Sequence, residues 1–228
     1  FPSLIGTSST GVSNEGVVAN QEEFTGTIIK YSGTGRALYF NGSVADAGSF
    51  RGGILKDFAV VKLAATKPIS SDTSVGIEMK WCHHYRAYNI ATSGFGKGFW
   101  NYNSGVNELF GFTSMWNYVG LLLDYESNDF GLWGAQLHHN YVNLKIIGGN
   151  NVSINKPTIE GSPFGIVIHD GSAQVPFHVS LRNVYSEANT TSIIRIGADE
   201  DDNVSTYPIV NVGIDGFRAS GAPTEKIG

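Results

Sequence analysis

The sequence has 228 residues, a formal net charge of −5 and 15% charged residues, against about 25% in an average soluble domain. This acidic balance argues against nucleic acid or an anionic membrane as the partner, because both attract basic surfaces. The single cysteine, Cys82, excludes an intrachain disulfide, and no apolar run approaches the roughly 20 residues of a membrane-spanning helix.

The chain begins Phe1-Pro2-Ser3, without Met or a basic leader, and this start suggests a fragment or a processed piece. Residues 1–23 are polar and weakly patterned, which predicts an irregular lead-in. Residues 222–228 predict a C-terminal tail or linker. We expect the residues between them, 24–221, to form one domain.

Short apolar and β-branched runs recur along this domain, and Gly, Asn and polar segments separate them. Such runs predict strands, because none of them shows the i, i+3, i+4 spacing of an amphipathic helix. The predicted strands include 25–31, 36–40, 109–112, 119–125 and 130–136, with a strand–turn–strand unit at 54–63.

The clearest feature is self-similarity between residues 152 and 221. Segments that begin at Val152, Val179 and Val212 align without gaps, and the second spacing is longer than the first. A second strip, 165–170, aligns with 192–197 at the same offset that separates Val152 from Val179. Self-similarity at periods of about 20–50 residues predicts stacked units, none of which can bury its apolar face alone.

Coils of this length, stacked about 4.8 Å apart, form parallel sheets around an apolar column. The pattern therefore predicts an all-β parallel β-helix (β-solenoid) with two or three strands in each coil. The predicted neighbours are Ile154 with Leu181 and Ile214, Ile166 with Ile193, and Ile168 with Arg195.

Three segments resemble the pectate-lyase-like right-handed parallel β-helix family, and the stretch 27–35 looks like the start of such a helix. The segments are Ile54-Leu-Lys-Asp-Phe58, 159–168 and Leu181-Arg-Asn-Val-Tyr-Ser-Glu187. The likeness covers roughly residues 24–221 and is greatest to phage tailspikes and capsule depolymerases. It lacks the Asn-Thr-Asp and Gly-His-Gly signatures of the pectin-hydrolase branch.

This resemblance implies an all-β, single-stranded right-handed parallel β-helix. It also implies a homotrimeric spike, located extracellularly on the virion tail, that acts on a polysaccharide by hydrolase or lyase chemistry. We expect no cofactor. Two alternatives on the same fold stay open: a glycan-binding adhesin without cleavage, and a purely structural trimerisation shaft.

Glu160 and Glu187 occupy equivalent places in successive repeats. In adjacent coils they would lie about 5 Å apart, which is the carboxylate spacing of a retaining glycosidase. Two like charges at that distance raise the pKa of one carboxyl group, which gives an acid beside a nucleophile. The alternative is that each glutamate caps a turn at a corner of the solenoid.

Histidine doublets supply candidates for a general base. His138 and His139 point to opposite faces if they lie in one strand, so at most one of them faces a given groove. Arg86 could neutralise a substrate carboxylate, and Asp170 completes the candidate catalytic set. The alternative is that these polar side chains stack as a ladder on the surface of the β-helix and have no catalytic role. We expect no metal site, and a solvated loop is the favoured interpretation of the acidic stretch 199–202.

Aromatic residues crowd the middle third of the chain. Exposed rings bind sugars by burying the apolar C–H face of the pyranose, whereas buried rings fill the core. The candidate substrate-binding residues are Trp100, Trp116, Tyr118, Tyr125 and Trp133.

Overall fold

The computed structural model describes residues 4–5, 26–42, 50–63, 66–170, 176–206, 209–221 and 225–227. No segment of this described chain forms a helix of the length and apolarity that a bilayer crossing requires. Its strands are β1 (Leu4–Ile5), β2 (Thr27–Tyr31), β3 (Arg36–Asn41), β4 (Phe50–Lys62), β5 (Val75–Lys80), β6 (Cys82–Ser93), β7 (Lys97–Tyr102), β8 (Glu108–Phe110), β9 (Thr113–Met115), β10 (Val119–Asp124), β11 (Gly131–Trp133), β12 (Gln136–His138), β13 (Val142–Ile146), β14 (Asn150–Asn155), β15 (Thr158–Glu160), β16 (Phe164–Ile168), β17 (Phe177–Arg182), β18 (Tyr185–Glu187), β19 (Ser192–Ile196), β20 (Val210–Asp215), β21 (Arg218–Ser220) and β22 (Glu225–Ile227).

These strands form three parallel faces. Face A consists of β8, β11, β14, β17 and β20, and face B consists of β9, β12, β15, β18 and β21. Face C is the eight-stranded sheet β3-β5-β7-β10-β13-β16-β19-β22. The long strand β6 pairs with both β8 and β9, so it begins faces A and B together. From β7 to β21, each circuit of the chain adds one strand to each face, which confirms the predicted all-β parallel β-helix.

An apolar column runs along the inside of face C. The registered neighbours Phe99, Leu121, Leu144, Ile166 and Ile194 are each at most 1% exposed. Burial of one such aliphatic side chain stabilises the fold by about 1.5–3 kcal/mol. Stacking them in register therefore supplies much of the cohesion between coils.

The predicted column inside face A is confirmed. Ile154 pairs in register with Leu181, and Leu181 pairs with Ile214. Ile154 and Leu181 are fully buried, and Ile214 in β20 is 39% exposed.

The predicted register on face C is wrong by one residue. The observed pairs are Ile166 with Ile194, Val167 with Arg195, and Ile168 with Ile196. The turn that leads into β19 is one residue longer than the turn that leads into β16. The extra residue moves every later side chain by one place, and a one-residue shift exchanges the two faces of a strand. Arg195 consequently lies outside the core column.

Most coils are shorter than the coil that runs from Val152 to Val179. The second residue of three successive face C strands is a glycine: Gly76 in β5, Gly98 in β7 and Gly120 in β10. These glycines recur at one constant spacing, which is shorter than the distance in sequence from Val152 to Val179. A Cβ atom at each of them would lie 2.6 Å from a carbonyl oxygen of the next coil, which is too close for any side chain. The repeat that is visible in the sequence therefore belongs to the longer coils.

The segment 54–63 also differs from its prediction as strand, turn and strand. Residues 54–62 belong to the continuous strand β4, in which Asp57 adopts a left-handed backbone with φ 57°. The pairing register with β6 skips Asp57 and continues on both sides of it, at Lys56 and at Phe58. Of the lead-in, β1 pairs with β4, and near the C-terminus β22 pairs with β19. Most of the predicted lead-in and tail lies outside the described residues.

Buried asparagines form the corner between faces B and C. The Asn140 side-chain oxygen accepts from the Asn117 backbone N–H at 2.9 Å, and the Asn140 amide donates to the Ser114 carbonyl at 3.0 Å. Asn140 also donates to Asn143 Oδ1 at 2.8 Å. In the next coils Asn189 accepts from the Ser162 backbone N–H at 3.3 Å. These bonds fix the corner at which the candidate site lies.

Candidate functional site

Three candidate catalytic side chains lie in one row on face B. His138, Glu160 and Glu187 end β12, β15 and β18, and the backbone register pairs His138 with Glu160 and Glu160 with Glu187. Registered residues on adjacent coils are about 4.8 Å apart. The preceding residues of these strands point inward and are buried, so alternation directs the row outward.

The two carboxyl groups of the row have different surroundings. Partial burial, together with the charge of Glu187, raises the pKa of Glu160. The Tyr185 hydroxyl donates to Glu187 Oε2 at 2.6 Å. This hydrogen bond positions the Glu187 carboxylate, whereas Glu160, whose pKa is raised, is the natural proton donor. A small cavity beside Glu160 is lined by Gln136, His138, Thr158 and Glu160.

His138, the first residue of the histidine doublet, lines this cavity. His138 Nδ1 lies 3.1 Å from His139 Nδ1, so one ring donates and the other accepts. The His139 ring stacks on Trp116 at 5.2 Å between centroids, and Lys67 Nζ lies 5.6 Å from the Trp116 ring. Burial lowers the pKa of His138 to about 4, and the neighbouring His139 adds to the effect. His138 is therefore neutral at pH 7.

The lowered pKa of the partly buried His138 ring predicts an acid-sensitive fold. As the pH falls, the unfolded chain takes up a proton near pH 6.5, whereas the native ring does so only near pH 4. The free energy of unfolding is unaffected above pH 6.5 and falls by up to about 3 kcal/mol between pH 6.5 and pH 4. We expect His138→Gln to remove most of that loss in urea unfolding curves. The exposed control His84→Gln should keep the loss of stability at low pH. If the free energy of unfolding of His138→Gln fell as steeply with pH as that of the original protein, the assignment would be contradicted.

Two of the predicted catalytic residues lie elsewhere. Arg86 is on face A, where its Nε donates to Glu108 Oε2 at 2.9 Å. Asp170 follows β16 on face C, is 6% exposed, and accepts from the Thr206 backbone N–H at 2.6 Å. The fold therefore brings together Glu160, Glu187, His138 and His139, and leaves Arg86 and Asp170 outside the row.

The predicted sugar-binding aromatics divide among the faces. Trp116 lies beside the candidate row, through its stack on His139. Tyr125 stacks on Tyr102 at 5.6 Å near the corner between faces C and A. Trp100 and Tyr118 line a cavity on the outer surface of face C.

Trp133 belongs to a groove on face A. Tyr88, Phe110 and Trp133 form a ring ladder, with centroids 5.0 Å and 6.2 Å apart and nearly parallel planes. Arg86 and Glu108 lie beside the ladder, and Trp133 is 41% exposed. The stacked rings cover one another's inner faces, so mainly their edges and the outer face of Trp133 face the groove.

Tyr185 is the residue of the row that the sequence argument missed. It stands two positions before Glu187 in a short strand, and this spacing places both side chains on one face. Among the described residues, no three His, Cys, Asp or Glu side chains converge as a metal site requires.

No protein-family model matches the sequence, and no curated protein matches it. Among solved structures, ORF18 of Geobacillus virus E2 matches 99% of the chain with a TM-score of 0.55 and 11% identity. The chain spans 48% of that protein, about half of its length. The shared architecture confirms the expected fold, a right-handed parallel β-helix.

Two enzymes of Azotobacter vinelandii give weaker matches. The A-module of mannuronan C-5 epimerase AlgE6 has a TM-score of 0.40 and 13% identity, over 78% of this chain and 63% of its own. The A-module of mannuronan C-5 epimerase AlgE4 has a TM-score of 0.35 and 12% identity, over 98% of this chain and 82% of its own.

Proposed function

We propose that the protein is a polysaccharide-cleaving β-helix, and that it acts as a retaining glycoside hydrolase at Glu160 and Glu187. The observation that carries the proposal is the register of these two residues on adjacent coils. Cα atoms in register on adjacent coils lie about 4.8 Å apart. This spacing is compatible with the roughly 5–5.5 Å between the carboxyl groups of retaining enzymes, and is shorter than the about 6.5–9.5 Å of inverting enzymes.

The different surroundings of the two groups support separate roles. Glu160, whose pKa is raised, protonates the glycosidic oxygen as the bond to the anomeric carbon breaks. Glu187 attacks the anomeric carbon and forms a glycosyl ester, with Tyr185 holding its carboxylate in place before attack. Glu160, now ionised, takes a proton from water, which displaces Glu187 and completes hydrolysis.

Hydrolysis fits this row better than β-elimination. A lyase needs a base for the proton beside a uronate carboxylate, and His138, with a pKa of about 4, is a weak base at neutral pH. Arg86, the cation expected to neutralise that carboxylate, lies on face A, where it pairs with Glu108.

The wider setting is also a proposal: a homotrimeric tailspike on the virion surface that acts on a bacterial surface or capsular polysaccharide. The fold shared with the viral protein ORF18 supports a phage origin. The long row of stacked coils supports an extended polymer as the ligand, since a parallel β-helix presents equivalent positions on each coil.

The test is incubation of the protein with a panel of bacterial capsular and lipopolysaccharide glycans. New reducing ends, without the ultraviolet absorbance of an unsaturated sugar, are expected for a hydrolase. Proton NMR of the first product should show the anomeric configuration of the substrate. Unsaturated products would replace the hydrolase by a lyase, and the absence of any cleavage across the panel would remove the enzymatic proposal.

The groove on face A favours a second candidate, a glycan-binding adhesin that does not cleave. Trp133→Ala removes the exposed ring and is expected to weaken glycan binding by about twofold to tenfold. Tyr39→Ala on face C is the control, because Tyr39 is similarly exposed, at 43%. Glycan microarray or calorimetric titration measures the effect. Equal affinities for both variants would contradict a role of the ladder.

A further inference from the structure

The row on face B borders a cavity that has no role in the proposed cleavage. The cavity lies beside Glu160, has a volume of about 80 Å³, and is lined by Gln136, His138, Thr158 and Glu160. A cavity that holds a single water needs only about 10–15 Å³, whereas sites that enclose a whole small molecule measure roughly 300–1,000 Å³. The size therefore suits a substituent of a sugar ring better than one water or a whole sugar.

Three side chains of the lining have polar groups that are available to a ligand. Gln136, Thr158 and Glu160 form no side-chain hydrogen bond or ion pair with any other described residue. Gln136 and Thr158 begin β12 and β15 and pair in register, and His138 and Glu160 do the same at the ends of these strands. All four point outward, because the residue between them in each strand is fully buried. A carboxamide, a hydroxyl and a carboxyl group thus border one small space.

The charges around the cavity favour a neutral occupant. Burial lowers the pKa of His138 to about 4, so this wall of the cavity is uncharged at pH 7. Partial burial, together with the charge of Glu187, raises the pKa of Glu160, and an anionic group would be repelled by the same charge. A cationic group would lower the pKa of Glu160 and remove the proton that cleavage needs.

An amide group matches these side chains better than a hydroxyl group does. The Gln136 carboxamide presents an acceptor oxygen and a donor NH₂ group side by side, and the Thr158 hydroxyl can donate or accept. An acetamido group offers the complementary N–H and C=O, and its methyl group occupies further volume. A hydroxyl group has only one O–H to donate and leaves more of the cavity unfilled.

We propose that the cavity beside Glu160 binds an acetamido group, so that the substrate of face B carries an N-acetylated amino sugar next to the cleaved bond. The Gln136 carboxamide pairs with the amide of the sugar, and the Thr158 hydroxyl donates to its carbonyl oxygen. The place of this sugar beside the cleaved bond rests on the proposed function. Binding of the acetamido group rests on the cavity alone.

The test compares free sugars that differ only in the acetamido group, in titrations of the whole chain followed by NMR. The pairs are N-acetylglucosamine with glucose, N-acetylgalactosamine with galactose, and N-acetylmannosamine with mannose. Two or three additional hydrogen bonds predict that at least one acetamido sugar binds about fivefold or more tightly than its partner. Equal binding within all three pairs, or no binding of any acetamido sugar, overturns the proposal, because water alone would then fill the cavity.

Variants locate the site. Gln136→Leu removes the carboxamide from an exposed position and should abolish the preference for the acetamido sugar. Thr158→Val keeps the shape of the side chain, removes the hydroxyl group, and should reduce the preference about twofold to tenfold. Thr73→Val makes the same change at an exposed threonine outside the cavity and should keep the full preference. Full preference in Gln136→Leu overturns the assignment. If Gln136→Leu does not fold, full preference in Thr158→Val overturns it.

The titrations do not require cleavage, so this proposal and the proposed function can fail separately. Cleavage of a glycan in the panel, without any preference for acetamido sugars, would overturn the assignment of the cavity and leave the hydrolase proposal standing. A preference for acetamido sugars that Gln136→Leu abolishes, without cleavage of any glycan, would support the cavity and remove the hydrolase.

Discussion

Glu160→Gln and Glu187→Gln are each expected to lower the rate of glycan cleavage by about 10²–10⁴-fold, the range of a lost general acid or base. Glutamine keeps the shape of glutamate but cannot supply a proton at Glu160 or attack at Glu187. Reducing-end assays at saturating polysaccharide measure the loss. Glu108→Gln, at the exposed pair with Arg86 on face A, is the matched control and should keep full activity.

The same variants test the coupling of the two carboxyl groups. The charge of Glu187 raises the pKa of Glu160, so Glu187→Gln should lower that pKa in an NMR titration of the carboxyl carbon. The alkaline limb of the activity profile belongs to Glu160, because cleavage needs this carboxyl group protonated. The paired mechanism would be contradicted if either glutamine variant kept more than a tenth of the cleavage activity. It would also be contradicted if the pKa of Glu160 were the same in Glu187→Gln as in the original protein.

Asn140→Ala is expected to lower the free energy of unfolding by about 2–6 kcal/mol, since each of two buried polar groups left without a partner costs about 1–3 kcal/mol. These groups are the Asn117 backbone N–H and the Ser114 carbonyl. Asn140 also donates to Asn143 Oδ1, which keeps a hydrogen bond from Ser162 Oγ in the variant. The candidate row of His138, Glu160 and Glu187 lies next to this corner. Cleavage activity in Asn140→Ala should therefore decrease together with the folded fraction.

Asn128→Ala is the matched control for that effect. Asn128 Oδ1 accepts from the Asn150 backbone N–H at 2.9 Å, which is the same contact between coils, but in an exposed place. Water replaces the lost acceptor there, so we expect a cost below about 1 kcal/mol. Chemical denaturation measures both variants. Similar costs at the two positions would show that burial does not control the strength of these corners.

The repeat in the sequence predicted the inner column of face A. On this face the alternation of inward and outward side chains agrees with the distance in sequence between successive repeats. Ile154 and Leu181 stand at the offset of that repeat and pair in register. The same offset failed on face C, where one additional turn residue places Ile194, and not Ile193, beside Ile166. Turn length is set by local corner geometry, which the hydrophobic pattern of the strands does not encode.

The site was predictable only in part. Glu160 and Glu187 share the offset of the repeat, but His138 joins their row through a shorter coil that the visible repeat did not reveal. The acidic stretch 199–202 predicts a solvated loop by its composition. Glu200, however, is 9% exposed and pairs with Lys145 in the face C cavity. A loop that folds back onto a sheet leaves no periodic signal.

The sequence by itself determined that the chain forms stacked β coils with an apolar interior, and that Glu160 lies over Glu187. Both follow from the alternation of side chains and from one constant offset. Only the tertiary structure decided which residues share a face, and which charged side chains, such as Lys145 and Glu200, pair across the fold. Those properties depend on turn lengths and burial, which arise when distant segments pack together.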